Sequence, residues 1–304
     1  MSHANEGSVR AILYALGANF GIAVSKYVAA WWTNSGSMLA EAIHSTADCV
    51  NQLLLLFGMK EAKRPESADH PLGHHRVTYF WSMLVALLLF LMGGAYSVYE
   101  GISRLRHPHP IENGLVALAV LGIAVVLEAF SLAGAMREIR KLAGGKPFLR
   151  WFRETRESEL MVIAGEDIAA LAGLVLAFMA VSVAILTGNP VWDAVGTLAV
   201  GVVLMIIAVM VLIEVKGLIV GESVSPEQRV AIQRFTAAQP EVAEVLNVIT
   251  LAWGSMIVIA VKARMTGAEQ ISGAELVRRI NAVEERMQAE YPQARWVFFE
   301  PDVR

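Results

Sequence analysis

Residues 38–59 read MLAEAIHSTADCVNQLLLLFGM. As a helix rising about 1.5 Å per residue this stretch is long enough to cross the roughly 30 Å apolar core of a bilayer. It is nevertheless interrupted by Glu41, His44, Asp48 and Asn51. These positions follow i, i+3, i+7 and i+10, so at about 100° per residue they fall within an arc of about 80° on one helix face. A carboxylate near the centre of such a helix costs roughly 2.5–3.5 kcal/mol on insertion scales, and the default reading of such groups is an ion or proton pathway. His44 and Asp48, one turn apart, offer an imidazole nitrogen and a carboxylate oxygen, both good ligands for Zn²⁺ and its neighbours. The structural alternative is a His–Asp hydrogen-bonded pair buried between helices. Asn51 carries the stripe on toward the cytoplasm, and Glu41 extends it the other way.

The rest of the chain supports a membrane reading. Its 304 residues are 56% hydrophobic and 17% charged, with a mean hydropathy of +0.52, against about 45–50% apolar and about 25% charged in a typical soluble chain. That excludes an ordinary soluble enzyme and a disordered chain. A net charge of −3 leaves no basic footprint for nucleic acid. The single cysteine, Cys49, forms no internal disulfide. Six apolar stretches are long enough to span, near 11–33, 38–59, 78–101, 114–136, 160–187 and 191–220. The first ten residues show no removable signal peptide. The loops after the second and fourth stretches carry eleven Lys and Arg, against Arg104 and Arg106 on the other side, which places both termini in the cytoplasm.

Near Gly221 the composition changes, dividing the chain into a transmembrane domain over 1–220 and a cytoplasmic domain over 221–304. Ser225 before Pro226 predicts a helix start. Val245–Trp253 and Met256–Met265 read as strands joined by Gly254-Ser255, followed by an amphipathic helix over Gly273–Tyr291 and a last strand over Arg295–Glu300. The expected order is αββαβ, a small ferredoxin-like α+β fold.

Other ionisable residues within or at the ends of the apolar stretches are Lys26, Glu128, Glu166, Asp167 and Asp193. Glu128 reads as a structural partner for Lys26, and Asp193 as a span-edge residue behind Pro190. Glu166 and Asp167 are adjacent, so they diverge by about 100° and line one site only if it lies between them. One His and three acids shared by two helices repel one another when empty and ionised, so they hold a cation or protons.

Taken together, Gly36-Ser37-Met38-Leu39-Ala40-Glu41-Ala42-Ile43-His44-Ser45-Thr46-Ala47-Asp48, His70-Pro71-Leu72-Gly73-His74, Tyr99-Glu100-Gly101-Ile102 and Gly221-Glu222-Ser223 make the whole chain resemble the cation diffusion facilitator family of divalent-metal/proton antiporters. The resemblance implies six transmembrane helices, a homodimer joined through the C-terminal domain, and a tetrahedral transport site with two ligands on the second span and two on the fifth. His44 and Asp48 match the first pair and Asp167 the later member of the second. The position four residues earlier, usually His or Asp, is Ile163, so Glu166, Asn51 or water completes the shell. Zn²⁺ is the expected substrate, with Mn²⁺, Fe²⁺ and Co²⁺ open to a site of mostly oxygen ligands. In some members the loop after the second span holds another metal site. His70 and His74 match it, but Ser67 stands at the acid position, leaving Asp69 to substitute; a solvated loop is the alternative. Residues 221–304 contain neither His nor Cys, so the family's regulatory metal site there is expected to be absent or weak. Packing alone, with Trp253, Trp296, Phe298 and Phe299 as candidates, would then join the dimer. His107 and His109, alternating with prolines, read as a stiff link.

The resulting expectation is a secondary active transporter with no cofactor, exporting divalent metal in exchange for protons across a bacterial inner membrane. Two other readings are an intramembrane hydrolase, with a metal on His44, Asp48 and Asp167 and Glu166 as base, and a metal-sensing scaffold that moves no ions.

Overall fold

The computed structural model describes the backbone of residues 2–108, 111 and 113–302, and their side chains from residue 16 onward except 18, 138, 141 and 142. His109, half of the expected stiff link, lies outside these residues. The N-terminal part is all helix. α1 spans Ser2–Thr33, α2 Gly36–Glu61, α3 Val77–Leu88, α4 Tyr96–Arg106, α5 Gly114–Leu142, α6 Phe148–Glu154, α7 Ser158–Thr187 and α8 Val191–Val220. α3 runs into α4 through a π-helical stretch, Leu89–Ala95, making one continuous rod. Among the described residues, four helical segments are long and apolar enough to cross a membrane: Val77–Arg106, Gly114–Arg137, Ser158–Thr187 and Val191–Val220. The other two expected spans are helical as well, in α1 and α2, and in α2 the polar residues Glu41, His44, Asp48, Asn51 and Gln52 dilute the apolar content.

The helices pack around two apolar clusters, one toward each end of the bundle. One contains Met38, Ala117, Leu121, Ala124, Ala169, Leu174 and Leu204; the other contains Leu55, Tyr79, Ile139, Met161, Ala164, Val211 and Leu218. On α2 the clusters leave a gap between Met38 and Leu55, on α5 between Ala124 and Ile139, and on α7 between Ala164 and Ala169. The ionisable residues sit in that gap. Outside the bundle, Trp31, Leu115, Ile123, Phe130 and Leu186 are exposed, the outward apolar face that a lipid-solvated helix requires.

The end of the bundle away from the basic loops is tied together by Asp193, at the start of α8. Asn34 takes a left-handed φ of +53°, and the chain turns there from α1 into α2. Ser35 caps α2, its Oγ accepting from the Met38 N–H at 3.2 Å. The buried Asp193 carboxylate accepts from Ser35 Oγ at 2.9 Å, the Gly36 N–H at 2.8 Å and the Ser37 N–H at 3.3 Å. An anion thus neutralises the positive N-terminus of α2 and its open donors. The span-edge reading of Asp193 acquires a specific partner here.

At the opposite end stand α9 (Pro226–Ala237), β1 (Val242–Trp253), β2 (Met256–Met265), α10 (Gly273–Glu290) and β3 (Trp296–Pro301). β1 begins three residues before the expected start, at Val242, and β3 runs 296–301 rather than 295–300. The sheet order is β1-β2-β3, with β1 and β2 antiparallel and β2 and β3 parallel across the α10 crossover. Ser225 caps α9 as its spacing predicts, accepting from the Gln228 N–H. Alternate β2 residues Ile257, Ile259, Val261, Ala263 and Met265 are buried under Ile232, Val283 and Met287. Of the four aromatic candidates for dimer packing, Phe298 is exposed, while Phe299 packs against this core.

The β1–β2 turn docks on the helices. Gly254, at φ +63°, donates its N–H to Tyr79 Oη at 2.9 Å, and any Cβ there would collide with the His75 backbone. Trp253 Nε1 donates to the Leu72 carbonyl at 3.1 Å, and the Arg76 guanidinium lies 4.6 Å above the Trp253 ring. Arg76 also donates to the carbonyls of Leu218 and Ile219 at the end of α8.

The Asp193→Ala variant is expected to lose about 2–3 kcal/mol of stability, because a buried charged cap and its partners are left unpaired, with Asp193→Asn losing less. Thermal unfolding of the purified protein in detergent checks this; an unchanged midpoint for the alanine variant would refute the capping role.

Candidate metal centre

The polar face of α2 is divided among three sets of partners. Toward its N-terminus Glu41, fully buried, meets Lys26 of α1: Nζ lies 3.3 Å from Glu41 Oε2 and donates to Ser45 Oγ at 2.7 Å. This corrects the pairing of Lys26 with Glu128. Glu41 and Ser45 are four residues apart on α2 and present two acceptors one turn apart to α1, so Lys26 is satisfied across the α1–α2 contact. One Glu41 oxygen, Oε1, keeps no hydrogen-bond partner among the described residues.

One turn inward stands His44. It is fully buried, and neither ring nitrogen has a hydrogen-bond partner among the described residues. Its Nδ1 lies 3.8 Å from Asp48 Oδ1, too long for a hydrogen bond, and that oxygen is also unpartnered. The expected structural alternative, a hydrogen-bonded His–Asp pair, is therefore not what the two side chains form. Buried polar atoms without partners cost free energy that a ligand can recover. An imidazole nitrogen and a carboxylate oxygen this close, both unspent, fit a transition-metal cation.

Asp48 faces a cavity of about 690 Å³ between α1, α2, α5 and α7. Glu166 and Asp167 line the same cavity as Asp48. Each has a polar contact: Asn51, fully buried, donates its Nδ2 to Glu166 Oε1, and the Ser131 hydroxyl of α5 donates to the Asp167 carboxylate. Ile163 lines the wall where the resemblance leads one to expect a ligand. In this arrangement no three His, Cys, Asp or Glu among the described residues stand close enough to hold one ion. His44 lies behind Asp48, outside the cavity lining.

Two acids on the wall were not singled out as site residues. Glu128 faces the cavity from α5, and Glu159 from the first turn of α7. The signal for Glu128 was its isolation: it is the one charged residue between Gly114 and Met136. No sequence signal separates Glu159 from an ordinary first-turn acid. The cavity lining falls in the parts of α2, α5 and α7 that join the basic loops, reaching Met59, Ala135 and Glu159.

In the loop after α2 the rings of His70 and His74 stack with centroids 4.2 Å apart, and His74 Nδ1 is buried without a partner among the described residues. Asp69 is exposed. The loop is held by the Ser67 hydroxyl, which accepts from the His70 N–H at 3.1 Å, and by a Glu66–Arg295 ion pair at 2.7 Å. Burial and the charge of Arg295 keep the neighbouring His75 imidazole below its ordinary pKa.

Residues 12–219 match the family model of the cation efflux transmembrane domain. The chain is 37% identical over 210 residues to the proton-coupled zinc antiporter SLC30A9, mitochondrial, of Xenopus laevis, covering 68% of this chain and 37% of that protein. It is 29% identical over 234 residues to metal tolerance protein C4 of Arabidopsis thaliana, covering 76% of this chain and 51% of the relative. Zinc transporter ZitB of Escherichia coli (strain K12) is 30% identical over 128 residues, covering 42% of this chain and 41% of the relative. The chain thus spans between 37% and 51% of the length of these relatives. The match takes in the whole helical bundle with its buried acids, and this multi-pass membrane protein belongs to the cation diffusion facilitator family.

Proposed function

We propose that the chain exports divalent transition-metal ions, Zn²⁺ foremost, from the cytoplasm in exchange for protons, with His44, Asp48 and Asp167 as the ion-handling residues and Glu166 as the acid beside them. The observation that carries this reading is the cavity that Asp48 shares with Glu166 and Asp167, with the unpartnered His44 standing directly behind Asp48. The printed names of the relatives, a proton-coupled zinc antiporter and a zinc transporter, support the substrate and the coupling.

In this reading α1 and α2 cross the bilayer with the four apolar helices, residues 1–220 form the membrane domain, and residues 221–304 form a cytoplasmic domain through which two copies pair. The membrane proposed is a bacterial inner membrane with both termini inside, on the strength of the Lys and Arg asymmetry. The cavity then lies in the cytoplasmic half. Beyond it, the Lys26–Glu41–Ser45 contact and the Asp193 cap close the outer end. An incoming cation displaces protons from the imidazole and the carboxylates, because each ligand binds metal only when deprotonated. Helix rearrangement brings His44 and Asp48 to the ion and opens the outer end, where protons compete the ion off. The stacked His70 and His74, with Asp69 nearby in sequence, belong to the proposal only as a loop metal site.

Mn²⁺, Fe²⁺ and Co²⁺ are favoured as additional substrates by one observation: Ile163 removes a donor position and leaves a site of one imidazole and several carboxylates. Membership of a transporter family weighs against the hydrolase and the non-transporting scaffold.

Asp48→Ala and Asp167→Ala are expected to reduce Zn²⁺ uptake by inside-out vesicles to background while the protein still elutes as a folded species; wild-type flux in both would falsify the site. In proteoliposomes of the unmodified chain, an acid interior should drive metal uptake with matching proton release. Collapsing that gradient with a protonophore should slow uptake and abolish accumulation of the metal. A rate indifferent to the gradient would point to uniport instead.

A further inference from the structure

The rod made by α3 and α4 is not one regular helix. Between them the stretch Leu89–Ala95 is π-helical, and the Tyr96 N–H that closes it donates to the Leu91 carbonyl five residues back. A π turn carries one residue more than the α-helical repeat accommodates, and such turns recur at functional sites. This one lies inside the bundle, with Leu89, Gly93 and Gly94 buried. It also lies against His44, whose ring is fully buried with both nitrogens unpartnered among the described residues. A Cβ on Gly93 would stand 3.5 Å from His44 Nδ1 and 3.2 Å from Leu204 Cδ1, so glycine brings the backbone of the rod up to the imidazole.

On either side of the π turn the rod is fixed. At its N-terminal end Tyr79 Oη accepts from the Gly254 N–H at 2.9 Å, Arg76 donates to the carbonyls of Leu218 and Ile219, and Ser82 Oγ lies 3.0 Å from Ser158 Oγ of α7. At its C-terminal end α4 is seated on α8 backbone to backbone. A Cβ on Gly101 would meet Leu198 N at 2.8 Å, and one on Gly201 would meet Val98 N at 2.7 Å. Arg104 adds a bond to the Asn34 carbonyl at 2.6 Å. A helix held at both ends does not swing or rotate as a whole. It can still pass the surplus residue along its length: each residue that the wide turn overtakes rotates by about 100° and advances about 1.5 Å, while both ends stay in place.

We propose that this π turn migrates along the rod and so covers and uncovers His44 during transport. The proposal rests on the transport reading above and names the moving part of its helix rearrangement. With the turn where it stands, Gly93 lies on the imidazole. Moving the turn toward α3 rotates Leu89, Phe90, Leu91 and Met92 and changes the face of the rod that His44 meets. Among the described residues His44 makes no hydrogen bond that such a shift would break. The fully buried Ser97 hydroxyl donates to the Gly93 carbonyl at 2.5 Å. A hydroxyl that turns about its own bond keeps that carbonyl satisfied while its amide donor changes, as a buried backbone acceptor requires.

The test removes the surplus residue. Deleting Met92 turns the π stretch into regular α-helix and leaves both fixed ends in register, so the full-length variant is expected to fold. It should bind Zn²⁺ calorimetrically with the affinity of the unmodified chain, while its Zn²⁺ flux in proteoliposomes falls to background. Flux at the unmodified rate overturns the migrating turn and leaves the transport reading standing. Absence of metal flux in the unmodified chain overturns both. Hydrogen exchange of the unmodified chain, with and without Zn²⁺, is a second measurement that needs no variant. Bound Zn²⁺ should slow amide exchange over residues 89–97 by about tenfold, a local opening made rarer, and leave residues 99–106 unchanged. Equal exchange over 89–97 in the two states, with Zn²⁺ bound in the same sample, overturns the proposal even where the Met92 deletion does not fold.

Discussion

Everything in this molecule is organised around carboxylates buried between two apolar cores. Asp48, Glu128, Glu166 and Asp167 face one cavity, and the ammonium nearby, Lys26, is committed to Glu41 and Ser45. Grouped like charges in an apolar surround disfavour the ionised state of one another, and only a cation or protons relieve them. In the transport reading proposed above, a metal ion and protons compete for these oxygens, because a ligand binds metal only when deprotonated.

The two ends of the bundle are closed by different chemistry. At the end away from the basic loops, a buried Asp193 accepts three hydrogen bonds from the start of α2 and holds α2 against α8. At the opposite end, the Trp253–Gly254 turn of the C-terminal sheet grips the loop before α3 and the first turn of α3 itself. Arg76 reaches from that loop both to the Trp253 ring and to the last carbonyls of α8. α3, α8 and the sheet are thus joined through a few named contacts. Gly254 is required there because a side chain would meet the backbone of His75.

Much of this could be read in advance. Hydropathy marked the helices, because a bilayer demands a minimum apolar length and internally satisfied backbone. Ser225-Pro226 and Gly254-Ser255 marked a cap and a turn through local backbone chemistry, and both stand where expected. The α2 stripe was legible because helical periodicity alone puts Glu41, His44, Asp48 and Asn51 on one face. What that periodicity does not carry is which neighbour meets each residue. Glu41 turned out to belong to Lys26, Asn51 to Glu166, and Glu128 to the cavity rather than to Lys26. Asp193 looked like an ordinary residue at a span edge until α2 was seen to start against it.

By itself, the sequence determined where the long helices run, where the polar face of α2 lies, and that a small mixed sheet follows them. These are properties of single segments, governed by the 3.6-residue repeat, by apolar length and by turn chemistry. Only the tertiary structure decided that His44 stays unpartnered beside Asp48, that α5 contributes an acid to the cavity, and that the hairpin tip is seated on Tyr79 and Leu72. Those outcomes depend on which helix faces pack together over separations of up to 181 residues, and no local pattern encodes that choice.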